Sequence, residues 1–148
     1  MSQQKKLILV IGATGAQGMA VIDGLLAPKA DGIPSPYSVR ALTRDTESRR
    51  AKALAQKGVE LVQGSTDDLS VVFSALQGCY GVWVNTDSFT LGEDKETWQG
   101  IRIFELAKQA KTLKHYIYSH LDYAFKETDY NPKYSCDHYN GEPNKDDQ

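Results

Sequence analysis

The sequence predicts a doubly wound α/β fold, in which helices cover both faces of a parallel sheet with the strand order 3-2-1-4-5. Two observations predict it. Short apolar segments alternate four times with segments whose apolar residues recur at helical spacing. A glycine-rich turn also joins the first apolar segment to the first helical one. Because crossovers between strands of one sheet are right-handed, this alternation gives a parallel sheet.

Five segments are predicted as strands. The first is a continuous apolar run, as expected for a central strand that is covered on both faces. Glycine, proline or polar residues separate the segments from the helices. The predicted strands are residues 7–11, 37–43, 59–62, 81–85 and 115–119.

Four helices are predicted between these strands, at residues 19–26, from Asp45 or Thr46 to 56, at 67–76 and at 93–110. Asp45 or Thr46 is expected to cap the second helix. The acids at the start of the third helix suit the positive end of the helix dipole. In the fourth helix, a stripe of Trp98, Ile101 and Phe104 is expected to pack on the sheet.

Residues 1–120 are predicted to form one nucleotide-binding domain, and residues 121–148 an irregular tail. The tail has scattered tyrosines, two prolines and no apolar periodicity.

Composition excludes several classes of protein. Of 148 residues, 41% are hydrophobic and 24% charged, and the net charge of −2 argues against direct binding of nucleic acid. The apolar segment 7–11 is too short to cross a membrane. The two cysteines, Cys79 and Cys136, are far apart, and no histidine has an acid or cysteine at ligand spacing, so no metal site is expected. This cysteine usage fits the cytoplasm or the nucleus.

The most informative motif is the glycine loop at residues 12–18, Gly-Ala-Thr-Gly-Ala-Gln-Gly. Gly12 permits a tight turn, Gly15 allows a pyrophosphate to approach the backbone, and Gly18 lets the helix pack closely on the sheet. The helix N-terminus then attracts the phosphates. In this strand–turn–helix context the motif predicts a Rossmann dinucleotide site, to which Thr14, Ala16 and Gln17 also contribute.

The end of the second strand indicates which dinucleotide is bound. A site for NAD commonly has an acid there, whereas NADP requires a cation for its 2′-phosphate. This chain has the neutral Thr43 followed by Arg44, and an arginine can bind phosphate with two charge-assisted hydrogen bonds. Asp45 is assigned to helix capping. We therefore expect NADP(H) as the ligand, with weaker binding of NAD(H).

Several motifs together resemble the NmrA-like family of atypical short-chain dehydrogenases. Beside the glycine loop they are Thr43-Arg44 and the segments 63–68, 84–86 and 115–119. The resemblance implies that Gly12, Gly15, Gln17 and Gly18 line the pyrophosphate, that Arg44 binds the 2′-phosphate, and that Asn85 lies near the nicotinamide ribose. The family includes NADP(H)-sensing regulators of fungal transcription and reductases of the isoflavone-reductase type. The resemblance also implies that the chain is truncated after the fifth strand, without the C-terminal half that would carry the substrate pocket.

The catalytic residues of the superfamily are not reproduced. No tyrosine has a lysine four residues on, and Glu142 occupies the position where isoflavone-type relatives have a lysine. The nearest candidates for proton transfer are Lys133 and Tyr134, and Ser119 ends the fifth strand near the usual active-site serine.

The leading hypothesis is an NADP(H)-binding regulatory or redox-sensing protein that is not a competent enzyme in this form. The alternative is an NADP-dependent, isoflavone-reductase-like oxidoreductase acting on a small aromatic or polyketide-like substrate. A third interpretation is an incomplete product without a function of its own. Expected partners are a regulatory protein or a second copy bound through the edge of the fifth strand.

Overall fold

The computed structural model describes residues 4–86, 92–120 and 129–134, without the side chains of Glu93 and Tyr134. Five strands form one sheet in which every pair of neighbours is parallel. Their order is β3-β2-β1-β4-β5, as the sequence predicted. The strands are β1 (Lys6–Ile11), β2 (Tyr37–Thr43), β3 (Glu60–Gln63), β4 (Gly81–Val84) and β5 (His115–Tyr118).

Helices connect these strands in sequence and cover both faces of the sheet. One apolar cluster fills the space beneath α3 and α4, and a second fills the space beneath α1 and α2. Leu9 and Val10, adjacent residues of the central strand β1, are fully buried on opposite faces. The helices are α1 (Ala16–Leu26), α2 (Arg49–Gln56), α3 (Leu69–Leu76) and α4 (Glu93–Gln109).

Three helices start elsewhere than predicted, and α1 and α2 are the first two. Helix α1 begins at Ala16 rather than at residue 19, because its first turn is part of the glycine loop and Met19 N–H donates to the Gly15 carbonyl (3.0 Å). The cap of α2 is Ser48, whose hydroxyl accepts from Ala51 N–H. The prediction of an Asp45 or Thr46 cap was wrong, since the Asp45 carboxylate closes an upstream turn by accepting from Glu47 N–H (2.8 Å).

Helix α3 also starts later than predicted. Asp68 is its cap and accepts from Ser70 N–H and Val71 N–H. Asp67 and Asp68 therefore both precede the helix instead of occupying its first turn. Asp67 is thereby left to contact α4 through Lys95 and Gln99.

The apolar stripe of α4 is only partly packed on the sheet. Trp98, Ile101 and Phe104 are 48%, 55% and 47% exposed, and Phe104 contacts Tyr116 of β5, so the expectation that the whole stripe packs on the sheet was wrong. The buried face of the helix carries Gln99, Ile103 and Ala107 instead. Ala107 and the nearby Gly100 are small, which lets α4 lie close to β5, where Tyr118 contacts the position of Gly100.

A largely buried arginine joins β2, β3 and α3 on the face of the sheet that α3 covers. The Arg40 guanidinium on β2 donates to the carbonyls of Ala75 (2.8 Å) and Gln77 (2.9 Å) at the end of α3. Its Nε lies 3.0 Å from a carboxylate oxygen of Glu60 on β3. Cys79 is fully buried beside it, as predicted, and burial raises the pKa of its thiol. Cys136 lies outside the described residues.

Candidate functional site

The glycine loop leaves the C-terminal end of β1 in a conformation that requires its first glycine. Gly12 has φ +79°, and a Cβ there would lie 2.7 Å from the carbonyl oxygen of Asn85. Asn85 N–H in turn donates to the Ile11 carbonyl oxygen (3.2 Å). A side chain at Gly12 would therefore both strain the backbone and separate β1 from the end of β4.

The other two glycines differ in what surrounds them. At Gly18 a Cβ would lie 2.2 Å from the Gly12 carbonyl oxygen and 2.8 Å from the Cα of Ala13, so the helix lies directly against the loop. At Gly15 the nearest atom to a Cβ is the Gly12 oxygen at 3.2 Å. A side chain at Gly15 would thus crowd this one backbone oxygen, whereas at Gly12 and Gly18 it would collide with the loop.

On the β2 side of the loop, Thr43 and Arg44 are adjacent, but they differ in whether their side chains are exposed and could contact a ligand. Thr43 is buried, and its hydroxyl donates to the Asp45 carbonyl (3.2 Å) and accepts from Asp45 N–H (3.3 Å). The Arg44 side chain is exposed and forms no ion pair with any other described residue. Gln63 donates to the Arg44 carbonyl (3.5 Å), linking the ends of β2 and β3.

A second arginine, which the sequence analysis missed, also reaches the loop. Arg50, in the first turn of α2, donates from Nη1 to the Thr14 carbonyl (2.9 Å). Its neighbour Arg49 lines the same cleft between the loop and α2, together with Ser48 and Met19. The sequence could have indicated these residues only through their position shortly after β2, because the turn after β2 lies at the same edge of the sheet as the glycine loop.

On the β4–β5 side, Ser119 is joined to the loop. Its hydroxyl donates to Oε1 of Gln17 (2.8 Å), and its N–H donates to the Val84 carbonyl (2.8 Å). Ser119, Asn85 and the glycine loop therefore meet at the C-terminal ends of β5, β4 and β1.

A chain of hydroxyl groups lies next to this point. Thr86 donates to a Glu96 carboxylate oxygen (2.6 Å), and its Oγ1 lies 2.9 Å from the Tyr118 hydroxyl. Because threonine has a single hydroxyl proton, Tyr118 donates to Thr86 when Thr86 donates to Glu96. Glu96 and Tyr118 were not predicted, since their spacing of 22 residues shows no motif.

A buried glutamine organises the loop after β3. Gln99, 1% exposed, donates to Asp67 (2.7 Å) and accepts from Thr66 (3.2 Å). Hydrogen bonds from Lys95 and then Gln99 lower the pKa of Asp67. The hydrogen bond from Ser70, followed by that from Val71 N–H, lowers the pKa of Asp68. Both carboxylates are thus held in their ionised form.

The remaining catalytic candidates lie in the last described segment, residues 129–134. Lys133 and Tyr134 belong to a 3₁₀ turn, Pro132–Tyr134, and the Tyr134 side chain is outside the described residues, as are Glu142 and the tail from 135 on. Burial raises the pKa of Tyr116 to about 12, which keeps this tyrosine protonated at neutral pH. Within residues 4–86, 92–120 and 129–134 no group of acids, histidines and cysteines could hold a metal ion, and no helix is long and apolar enough to cross a membrane.

Fold and loop together define the class. A glycine loop between the central strand of a 3-2-1-4-5 parallel sheet and the N-terminus of its first helix is the arrangement of Rossmann-type dinucleotide-binding domains. The model of the NmrA-like family matches residues 4–141, and the chain belongs to this family.

Curated relatives of this chain are fungal oxidoreductases. It is 39% identical over 124 residues to the NmrA-like family domain-containing oxidoreductase notA' of Aspergillus versicolor, a match that covers 78% of this chain and 32% of the relative. It is 35% identical to the corresponding oxidoreductase malD of Malbranchea aurantiaca, with coverage of 80% and 35%. The chain thus spans about a third of the length of these relatives.

Solved structures include a regulator and an enzyme. NmrA, a negative transcriptional regulator, in complex with NADP superposes with a TM-score of 0.69 at 30% identity, covering 88% of this chain and 37% of NmrA. An NADPH-dependent quinone oxidoreductase from Escherichia coli in complex with NADPH gives 0.61 at 28% identity, covering 79% and 38%.

Proposed function

We propose that this chain binds the dinucleotide NADP(H) across the glycine loop. The observation that carries the proposal is the close packing of the loop, in which Gly12 and Gly18 leave no room for a Cβ, while a Cβ at Gly15 would crowd only the Gly12 carbonyl oxygen, at 3.2 Å. The pyrophosphate would lie at the N-terminus of α1, where N–H groups without helical partners favour anions. The complexes of NmrA and of the quinone oxidoreductase support this ligand class.

The charges on the β2 side favour NADP(H) over NAD(H). Arg44 is exposed next to the strand end and is our candidate for the 2′-phosphate, to which a guanidinium can donate twice. Arg50 adds positive charge and fixes the loop through Thr14. The Asp45 carboxylate accepts from Glu47 N–H, which leaves it less available to a ribose hydroxyl.

For the role of the nucleotide we infer an NADP-dependent oxidoreductase, whose substrate is a small aromatic or polyketide-like compound. The support is twofold: the curated relatives at 35–39% identity are oxidoreductases, and three hydroxyl groups lie at the ends of β4 and β5, those of Thr86 and Tyr118 bonded to each other and that of Ser119 bonded to Gln17. NADPH would supply the hydride. Ser119 and Gln17 would orient the nicotinamide end. A proton taken up by Glu96 would pass through Thr86 to Tyr118, with the two hydrogen bonds of the chain reversed, and Tyr118 would give its own proton to the substrate.

The second candidate is a regulatory, redox-sensing binder. It is favoured by the likeness to NmrA, which has a TM-score of 0.69 and is known in complexes with both NADP and NAD. It is also favoured by the absence, anywhere in the sequence, of a tyrosine with a lysine four residues on.

Titration of the purified chain with NADPH and NADH tests the ligand. We expect saturable binding, tighter for NADPH, with a melting temperature that rises with nucleotide concentration because the ligand binds the folded state. Equal affinities for NADPH and NADH would contradict the assignment of the 2′-phosphate to Arg44 beside β2. The absence of binding would contradict the proposal as a whole.

Turnover separates the two roles. NADPH oxidation is followed with quinones and aromatic carbonyls, in the unmutated chain and in Tyr118→Phe and Thr86→Val. Turnover that both variants slow supports the oxidoreductase. Stoichiometric binding without turnover supports the redox-sensing binder instead.

A further inference from the structure

The outer face of α4 is apolar where a solvent-facing helix is ordinarily polar. Trp98, Ile101 and Phe104 follow each other at intervals of three residues, and each is about half exposed. Phe104 is fixed in place by an edge-to-face contact with Tyr116, with ring centroids 5.2 Å apart. A single exposed apolar residue needs no explanation, but three in a row on one helix indicate a surface that is covered by something.

The charges on this face are arranged symmetrically about its centre. Ile101 lies midway between Asp94 and Lys108, seven residues or about two helical turns from each. The nearby Arg102 and Glu105 form an ion pair within the helix (2.6 Å), so their charges are already compensated. The face therefore has an acidic end, an apolar middle and a basic end.

Such a face is complementary to an antiparallel copy of itself. With a two-fold axis at Ile101, Trp98 of one helix meets Phe104 of the other, and Asp94 meets Lys108 at both ends. A parallel alignment would instead place like charges opposite each other. Isologous contacts of this kind are the commonest in homo-oligomers.

We propose that the outer face of α4 is an interface between two copies of this chain, packed antiparallel about Ile101. A single pair of helices buries less than the ~800 Å² per partner of a standard interface, so the dimer should be weak and its population should depend on protein concentration. The proposal does not depend on nucleotide binding, which is measured separately.

The test is sedimentation velocity of the full chain over a range of concentrations. We expect a concentration-dependent dimer that Ile101→Glu abolishes, because the substitution would place two carboxylates at the symmetry axis. The matched control is Ile117→Glu on β5, which is 57% exposed and lies outside α4. It should leave the dimer intact, and loss of association only in this variant would assign the interface to the edge of β5 and overturn the proposal.

A charge swap tests the antiparallel register. Asp94→Lys and Lys108→Asp should each weaken the dimer several-fold, because each creates like-charge pairs at both ends. The double variant should recover the original association. A monomer at every concentration, or single variants that do not weaken the dimer, would overturn the proposal. Recovery in the double variant also excludes a different protein, or residues 121–148 of the same chain, as the occupant of this face.

Discussion

Ser119 at the end of β5 and Gln17 in the first turn of α1, 102 residues apart in the sequence, are joined by a hydrogen bond of 2.8 Å. This bond is a side-chain link between the glycine loop and the far side of the sheet. It orients an exposed amide that would otherwise rotate freely, at the edge where the nicotinamide end of the proposed ligand would lie.

Ser119→Ala should therefore weaken NADPH binding without unfolding the chain. A hydrogen bond of this kind contributes about 0.5–1.5 kcal/mol, which corresponds to a loss of roughly two- to twelve-fold in affinity. In a double-mutant cycle, adding Gln17→Ala to Ser119→Ala should cause little further loss of NADPH affinity. Ser74→Ala, on the exposed side of α3, is the matched control. Additive effects of the two variants would show that the bond does not couple them.

Arg44→Ala should remove most of the preference for NADPH over NADH. A charged hydrogen-bonded contact contributes about 1.5–3 kcal/mol, so NADPH affinity should fall on the order of tenfold to a hundredfold while NADH affinity stays the same. Calorimetric titration measures both, with Arg102→Ala on α4 as the control. An unchanged ratio would assign the 2′-phosphate to another cation, of which Arg50 is the first to test.

Gly15→Val should abolish binding of both nucleotides and leave the fold intact. The nearest atom to the new Cβ is 3.2 Å away, so the loop needs to shift by only a few tenths of an ångström, whereas the branched side chain would occupy the approach of the pyrophosphate. Gly24→Val in the same helix is the matched control, because no atom lies within 4 Å of its Cβ position. Unchanged affinity in Gly15→Val would place the ligand elsewhere.

Ser48→Ala should lower the free energy of unfolding by about 1 kcal/mol, the typical contribution of a capping hydroxyl. The effect follows from the bond that Ser48 accepts from Ala51 N–H at the start of α2. Chemical denaturation measures it, and Thr46→Ala, at the position first predicted as the cap, should change stability less. The reverse order would contradict the observed cap.

The acid stability of the chain should depend on Asp68. Its pKa is lowered in the folded chain, mainly by the Ser70 hydroxyl (2.6 Å). The stabilisation is therefore complete above the ordinary pKa of 3.8 and is lost as the pH falls through the lower, folded value. Thermal melts across this range should show a shallower pH dependence in Asp68→Asn and in Ser70→Ala. Identical pH profiles in the unmutated chain and the two variants would show that Asp68 does not contribute to the acid stability.

The sequence was sufficient for the order of the strands because alternation and handedness leave few topologies for such a chain. It was not sufficient for the orientation of α4. Its apolar residues define two stripes, and only the packing of the helix against α3 and against Tyr118 of β5 decides that Ile103 is buried and Ile101 exposed.

The site was predicted where a local motif defines it and missed where distant elements meet. The glycine loop has a fixed spacing, so its residues could be read directly. Arg50, by contrast, reaches Thr14 across 36 positions, and Tyr118 reaches Thr86 across 32. Contacts at such separations depend on how α2 and β5 lie against the sheet, which no spacing in the sequence reveals.

The ion pair between Arg40 and Glu60 has a consequence for how the sheet finds its alignment. Strand β3 has only four residues, none of them fully buried, so hydrophobicity alone specifies its pairing with β2 weakly. Arg40 and Glu60 are direct partners in that pairing, and a slip of one residue would turn Glu60 to the opposite face and leave a largely buried cation without its counter-ion. The ion pair thus makes a shifted register of β2 and β3 less stable than the observed one. It also keeps Gln63 beside the Arg44 carbonyl, at the edge where the nucleotide is proposed to bind.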